Sequence, residues 1–131
     1  MKVVFDTNIF ISAFAIPGGR AEEAITRVIE GNVQLLLSKP IVHEILNVLA
    51  RKFDRDREEL ARVAVYFADL GKMIHTKRKV KVFTDDPDNR IIGCALSGKA
   101  GFIVTGDKAM LRLGKFKEVE VITLKEFLKL C

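Results

Sequence analysis

Four acids stand where carboxylates are costly or conspicuous. Asp6 follows Val3, Val4 and Phe5, and the apolar run resumes at Ile9, Phe10 and Ile11. An ionised carboxylate in such surroundings needs an opposite charge, hydrogen bonds or a metal. Asp107 follows "GFIVTG", a second strand-like run, with Gly106 supplying the turn between them. Asp88 heads the helical pattern "NRIIGCALSG", and Glu44 lies about one turn into "PIVHEILNVLARKF". At helical spacing Glu44 neighbours Ile41 and Val48, at the border of the apolar stripe rather than its solvent pole.

Each acid also has a plainer reading. Asp6 and Asp88 suit helix N-caps, Glu44 an exposed helical position, and Asp107 a turn after Gly106. Together the four say more. Clustered carboxylates raise one another's pKa, a cost that a bound cation removes. Oxygen-only ligands suit a hard ion, Mg²⁺ or Mn²⁺. Such an ion activates water and steadies phosphate oxygens during phosphodiester hydrolysis.

The elements that must position these acids can be read from periodicity and punctuation. Short apolar runs predict strands at Lys2–Phe5, Val33–Leu37, Phe102–Thr105 and Val119–Ile122, with a weaker one near Val80–Phe83. Helical patterns lie between them: "RAEEAITRVIEG" with its Gly stop, and "PIVHEILNVLARKF" after Ser38 with Pro40. Asp56 with Glu59 forms a capping-box pattern before "REELARVAVYFADLG", and Thr123 with Glu126 forms another before the last helix. Strands alternating with helices imply a single three-layer α/β/α domain over residues 1–131, built on a mostly parallel central sheet. Ligands bind outside the carboxyl edge of such a sheet. Asp6, Glu44, Asp88 and Asp107 are all expected at that edge.

Bulk properties narrow the field. The chain has 131 residues and is 49% hydrophobic, enough for a real core. Its net charge of +5 favours anionic partners, nucleic acid among them. Cys94 and Cys131 have no zinc-ligand spacing and suggest no disulfide framework. No apolar run approaches the length that spans a bilayer, so a cytoplasmic protein with no membrane partner is expected. The helices "PIVHEILNVLARKF" and "REELARVAVYFADLG" carry broad apolar faces, from which a homodimer is expected. Lys39 and Lys108 fall near the acidic edge, as phosphate contacts or as ordinary surface. His43 and His75 are isolated and read as surface or packing residues.

With these residues in place the chain resembles PIN-domain nucleases, and more closely the small prokaryotic PIN (VapC-like) toxins of toxin–antitoxin pairs. The ordered set "DTN … E … DPDN … VTGD" carries the resemblance, which extends over nearly the whole chain. It implies that Asp6, Glu44, Asp88 and Asp107 form an acidic, metal-binding quartet, with Asn8 and Thr105 as hydrogen-bonding supports. It further implies Mg²⁺- or Mn²⁺-dependent cleavage of single-stranded or loop RNA, an antitoxin protein as inhibitor, and a homodimer. Related sequences often read "DPDDN" where this chain reads "TDDPDN", so Asp86 rivals Asp88. Other readings are a PIN nuclease of RNA processing or decay, and a non-catalytic RNA- or protein-binding module. A phosphorylation-dependent receiver would carry paired acids at the first strand's end, but Thr7 and Asn8 follow Asp6. A haloacid-dehalogenase-like phosphatase would want a second Asp where Asn8 stands.

Overall fold

The first strand, β1 (Lys2–Phe5), buries three successive side chains, and β2 (Gln34–Leu37) does the same. Successive strand residues point to opposite faces, so strands buried at every position must be covered on both. In the computed structural model, which describes residues 1–77 and 79–131, these strands lie inside one sheet. Its remaining strands are β3 (Lys72–Met73), β4 (Phe102–Val104), β5 (Lys115–Phe116) and β6 (Val119–Ile122), in the order β3-β2-β1-β4-β6-β5. Every neighbouring pair is parallel except β5 with β6. The chain steps outward from β1 through β2 to β3, then returns to the far side of β1 for β4. Strand order therefore reverses between β1 and β4, and crevices open at such switch points.

Among the described residues seven helices flank the sheet: α1 (Thr7–Ala15), α2 (Arg20–Ile29), α3 (Lys39–Phe53), α4 (Arg57–Leu70), α5 (Asp86–Ser97), α6 (Lys108–Leu113) and α7 (Leu124–Leu130). Phe5 of β1 meets Phe10 of α1 and Phe127 of α7, with ring centroids 5.9 and 5.3 Å away. Helix α5 packs on β1, β2 and β4. At its end a Cβ on Gly98 would stand 2.5 Å from Leu36 Cδ1, so the bare glycine is what lets α5 close on β2. Among the described residues no helix is long and apolar enough to cross a membrane.

The caps account for most helix starts. Ser38 Oγ accepts from the Ile41 N–H, and Thr123 and Glu126 form a complete capping box. The Asp56 box is half made: Asp56 caps Glu59, while the Glu59 carboxylate turns to Arg55 at 2.6 Å.

Three expectations are corrected. Val80–Phe83 is not a strand, because the N–H groups of Val82 and Phe83 are taken by the Asn89 side chain instead of a neighbouring strand. Helix α5 begins at Asp86 with Asp85 in the N-cap position, which moves Asp88 into the first turn. Gly106 has no left-handed φ and its Cβ would meet nothing, so the turn before Asp107 does not need a glycine.

Candidate active site

Asp6 is where β1 becomes α1, and its backbone N–H donates to the Val104 carbonyl at 2.9 Å, joining the ends of β1 and β4. It occupies the N-cap position of α1, yet its carboxylate closes no cap hydrogen bond. Oδ2 instead accepts from the Thr105 hydroxyl at 2.6 Å. The same hydroxyl oxygen accepts from the Asp107 N–H at 3.0 Å. Thr105, fully buried just past β4, therefore ties together the two acids that follow the two central strands.

Asp6 is only 5% exposed. Burial raises its pKa above the usual carboxylate value, the Thr105 bond opposes that shift, and the charge of Asp107 adds to it. The backbone N–H groups of Thr7 and Asn8 also favour the ionised form, from positions too poorly aimed to cap.

Asp107 serves two purposes. Its Oδ1 caps α6, accepting from the N–H groups of Ala109 at 2.7 Å and Met110 at 3.3 Å. Among the described residues nothing donates to Oδ2, which remains available to a ligand.

Asp88, half-buried in the first turn of α5, has its carboxyl pushed up to about 6. Burial is the main cause, followed by the charges of Asp107, Asp85 and Asp6. Three aspartates from three elements thus share one field at the switch point. Among the described residues none of the three has a basic partner, the ion pairs being confined to α2 and the start of α4.

Glu44 is half-buried on α3 beside the buried Ile41, Ile45 and Val48, and its charge is not among those that shift Asp6 or Asp88. Asp86 is exposed and faces away into a neighbouring cleft. Asn8 is exposed on the first turn of α1. Lys39 heads α3 and Lys108 heads α6, both exposed, as are His43 and His75. Cys94 is core, its thiol pushed up to about 12 by burial.

Among the described residues no three Asp, Glu, His or Cys side chains stand close enough to ligate one ion directly. The donor set still suits a hard cation: all oxygen, mutually repelling and unneutralised. Mg²⁺ is commonly held by one or two carboxylates with water completing its shell.

Sequence reasoning passed over Asn89. It is 5% exposed, and its Oδ1 accepts from Val82 and Phe83 N–H groups at 2.9 and 2.8 Å while Nδ2 donates to the Phe83 carbonyl at 2.8 Å. One side chain thereby clamps the segment before α5 onto that helix, beside Asp88. The available signal was an amide in helical register with Ile92 and Gly93, an apolar face on which a polar group needs partners.

The PIN-domain family model matches residues 2–109, a span containing all four acids. An uncharacterized protein of Methanocaldococcus jannaschii is 30% identical over 132 residues, covering 95% of this chain and 84% of that protein. A tRNA dimethylallyltransferase of Staphylococcus haemolyticus is 24% identical over 127 residues, but the chain spans only 38% of its length. Two solved structures share the fold. One is VapBC2 from Rickettsia felis bound to a DNA fragment from their promoter, with TM-score 0.67 at 14% identity over 94% of this chain and 98% of that one. The other is VapBC-1 from nontypeable Haemophilus influenzae, with TM-score 0.68 at 15% identity over 95% and 99%.

Proposed function

Because the chain belongs to the PIN-domain family, whose members are nucleases, we propose that it is a Mg²⁺- or Mn²⁺-dependent endoribonuclease acting on single-stranded or loop RNA, and the toxin of a type II toxin–antitoxin pair. Residues 1–131 form one nuclease domain in this reading. The observation that carries it is the field shared by Asp6, Asp88 and Asp107, which no basic side chain among the described residues offsets.

In this reading Asp6, Asp88 and Asp107 would hold the metal, in part through its coordinated waters, and Glu44 would complete the quartet from α3. A bound divalent ion supplies a water of lowered pKa and positive charge against the phosphate oxygens. The remaining work falls to the chain. Asp6 would orient that water or take its proton, while the Thr105 hydroxyl fixes the carboxylate's rotation and favours its ionised form. Asp107 is held by its cap on α6 through Oδ1, which leaves Oδ2 without a donor among the described residues. Asn8, exposed on the first turn of α1, would contact the acids only with metal or substrate in place, since among the described residues its side chain bonds to none of them.

The fold shared with the two VapBC structures supports the toxin role and a protein antitoxin as partner. The exposed apolar side chains of α4, Val65 and Tyr66, support a homodimer. The deciding experiment is cleavage of single-stranded RNA with Mn²⁺, in EDTA, and by Asp6→Asn. Activity that vanishes in EDTA and in the folded variant upholds the reading. Undiminished cleavage in excess EDTA would sink it.

A further inference from the structure

Helix α5 borders a second feature besides the aspartates. Its Asp86, Asn89 and Arg90, with Lys39 at the head of α3 and the segment joining β3 to α5, wall a cleft of ≈ 690 Å³. That segment brings Lys77, Lys79 and Lys81 to the wall. Five cations thus line the cleft against Asp86, the one acid among its described lining residues. Among the described residues none of the five is ion-paired. Most of the chain's net charge of +5 is gathered there.

Like charges brought together repel, and here the fold holds them in place. Asn89 binds the backbone of Val82 and Phe83 immediately after Lys81, so the Lys81 end of the basic segment is fastened to α5. Asp88, one residue before Asn89, belongs to the aspartate cluster. The cleft and the candidate active site therefore share the first turn of α5.

We infer that this cleft is a phosphate track, holding a polynucleotide strand by its backbone on the approach to the three aspartates; this deepens the nuclease reading and rests on it. Five cations without acidic partners match a chain of phosphates, whose neutralisation releases counterions. The described lining contains no Phe, Tyr or Trp, and His43 is its single aromatic ring, too little for successive bases to stack on. The contact is with the sugar–phosphate backbone, which positions a strand without reading it. Binding through the track is accordingly indifferent to base sequence.

The test compares the parent with the triple variant Lys77→Gln/Lys79→Gln/Lys81→Gln. A control triple, Lys115→Gln/Lys117→Gln/Lys125→Gln, removes the same charge from exposed positions outside the cleft. The probe is a fluorescently labelled single-stranded RNA of mixed sequence, its binding followed by anisotropy in EDTA over a range of salt. Circular dichroism first establishes that all three proteins are folded. For the cleft variant the slope of log K against log salt should shrink by about 2, and affinity near 50 mM salt should fall about tenfold or more. The control should keep the parent's slope.

Equal slopes for parent and cleft variant, or an equal loss in both triples, overturn the track. So does a parent that binds polyglutamate but not RNA, which would make the cleft a seat for an acidic protein segment. The two readings fail separately. A protein that cleaves RNA yet shows no slope change keeps the nuclease and loses the track. One that binds as expected but cleaves nothing with any divalent ion keeps the track and loses the nuclease.

Discussion

The Thr105 hydroxyl lies 2.6 Å from the Asp6 carboxylate across 99 positions of sequence, and it is the shortest link between the ends of the two central strands. Thr105→Val keeps the shape and removes the donor. Asp6 then loses the bond that lowers its pKa and protonates at still higher pH. Cleavage should fall about 10- to 100-fold, as for other residues that orient a metal ligand, and Thr105→Ser should restore most of it. Steady-state cleavage across pH checks this; a Val variant with the parent's profile would refute it.

Asp88 makes a prediction with a definite sign. Its carboxyl titrates near 3.8 in an unfolded chain and at about 6 in the native one, so the native state holds that proton more tightly. The contribution to stability is greatest in acid, erodes as pH rises through this window, and is a standing penalty above it. Asp88→Asn removes the penalty. In EDTA its melting temperature should exceed the parent's at about pH 7.5, with the gap closing near pH 4. A variant that melts lower than the parent at the higher pH would count against the shared field.

Divalent metal should relieve the same repulsion. Mn²⁺ at about 100 times its dissociation constant should add roughly 2.7 kcal/mol of stability. The gain should be larger at about pH 7.5 than near pH 5, where the ion must displace the Asp88 proton. Asp6→Asn and Asp107→Asn should lose most of the response. Thermal melts with and without Mn²⁺ decide it, and a parent indifferent to the ion would refute a preformed acidic site.

Asn89→Ala deletes three hydrogen bonds to the segment before α5. The expected loss is about 3 kcal/mol, read from urea unfolding. Hydrogen exchange should also quicken at Val82 and Phe83, whose amides it protects. Unchanged exchange there would mean that the clamp is not what holds the segment.

Helix α4 buries only Phe67, leaving Val65 61% and Tyr66 50% exposed. If this face is the homodimer contact, light scattering should report a dimer for the parent and a monomer for Tyr66→Asp. A parent that stays monomeric at high micromolar concentration would end that proposal.

What could be read from sequence followed from burial and punctuation. Val3–Phe5 and Leu35–Leu37 are unbroken apolar runs, and strands covered on both faces must be so. Thr123 and Glu126 announce α7 because a capping box is local chemistry. The two-residue strands β3 and β5 are too short to show any period. The start of α5 was misplaced because Asp85, Asp86 and Asp88 are all competent caps, and only the folded backbone chooses among them. Asp6 and Asp107 were legible from the strands preceding them. Thr105 as a support of the acids came from the family resemblance, whereas the role of Asn89 depends on where looping backbone arrives, which no window of sequence contains. Glu44 was placed on the right stripe of α3, but helical register does not give its distance from the aspartates.

The register of β4 against β1, fixed by Val3 opposite Phe102 and sealed by the Asp6 N–H on Val104, has a bearing on synthesis. A ribosome delivers Asp6 long before Asp107. Between those moments the nascent chain has its first strand but not the neighbour that turns Asp6 toward its companions. Contacts of such long sequence separation form late. Whatever chemistry the aspartates support is therefore withheld from the growing chain until the segment carrying β4 and Asp107 has emerged and docked.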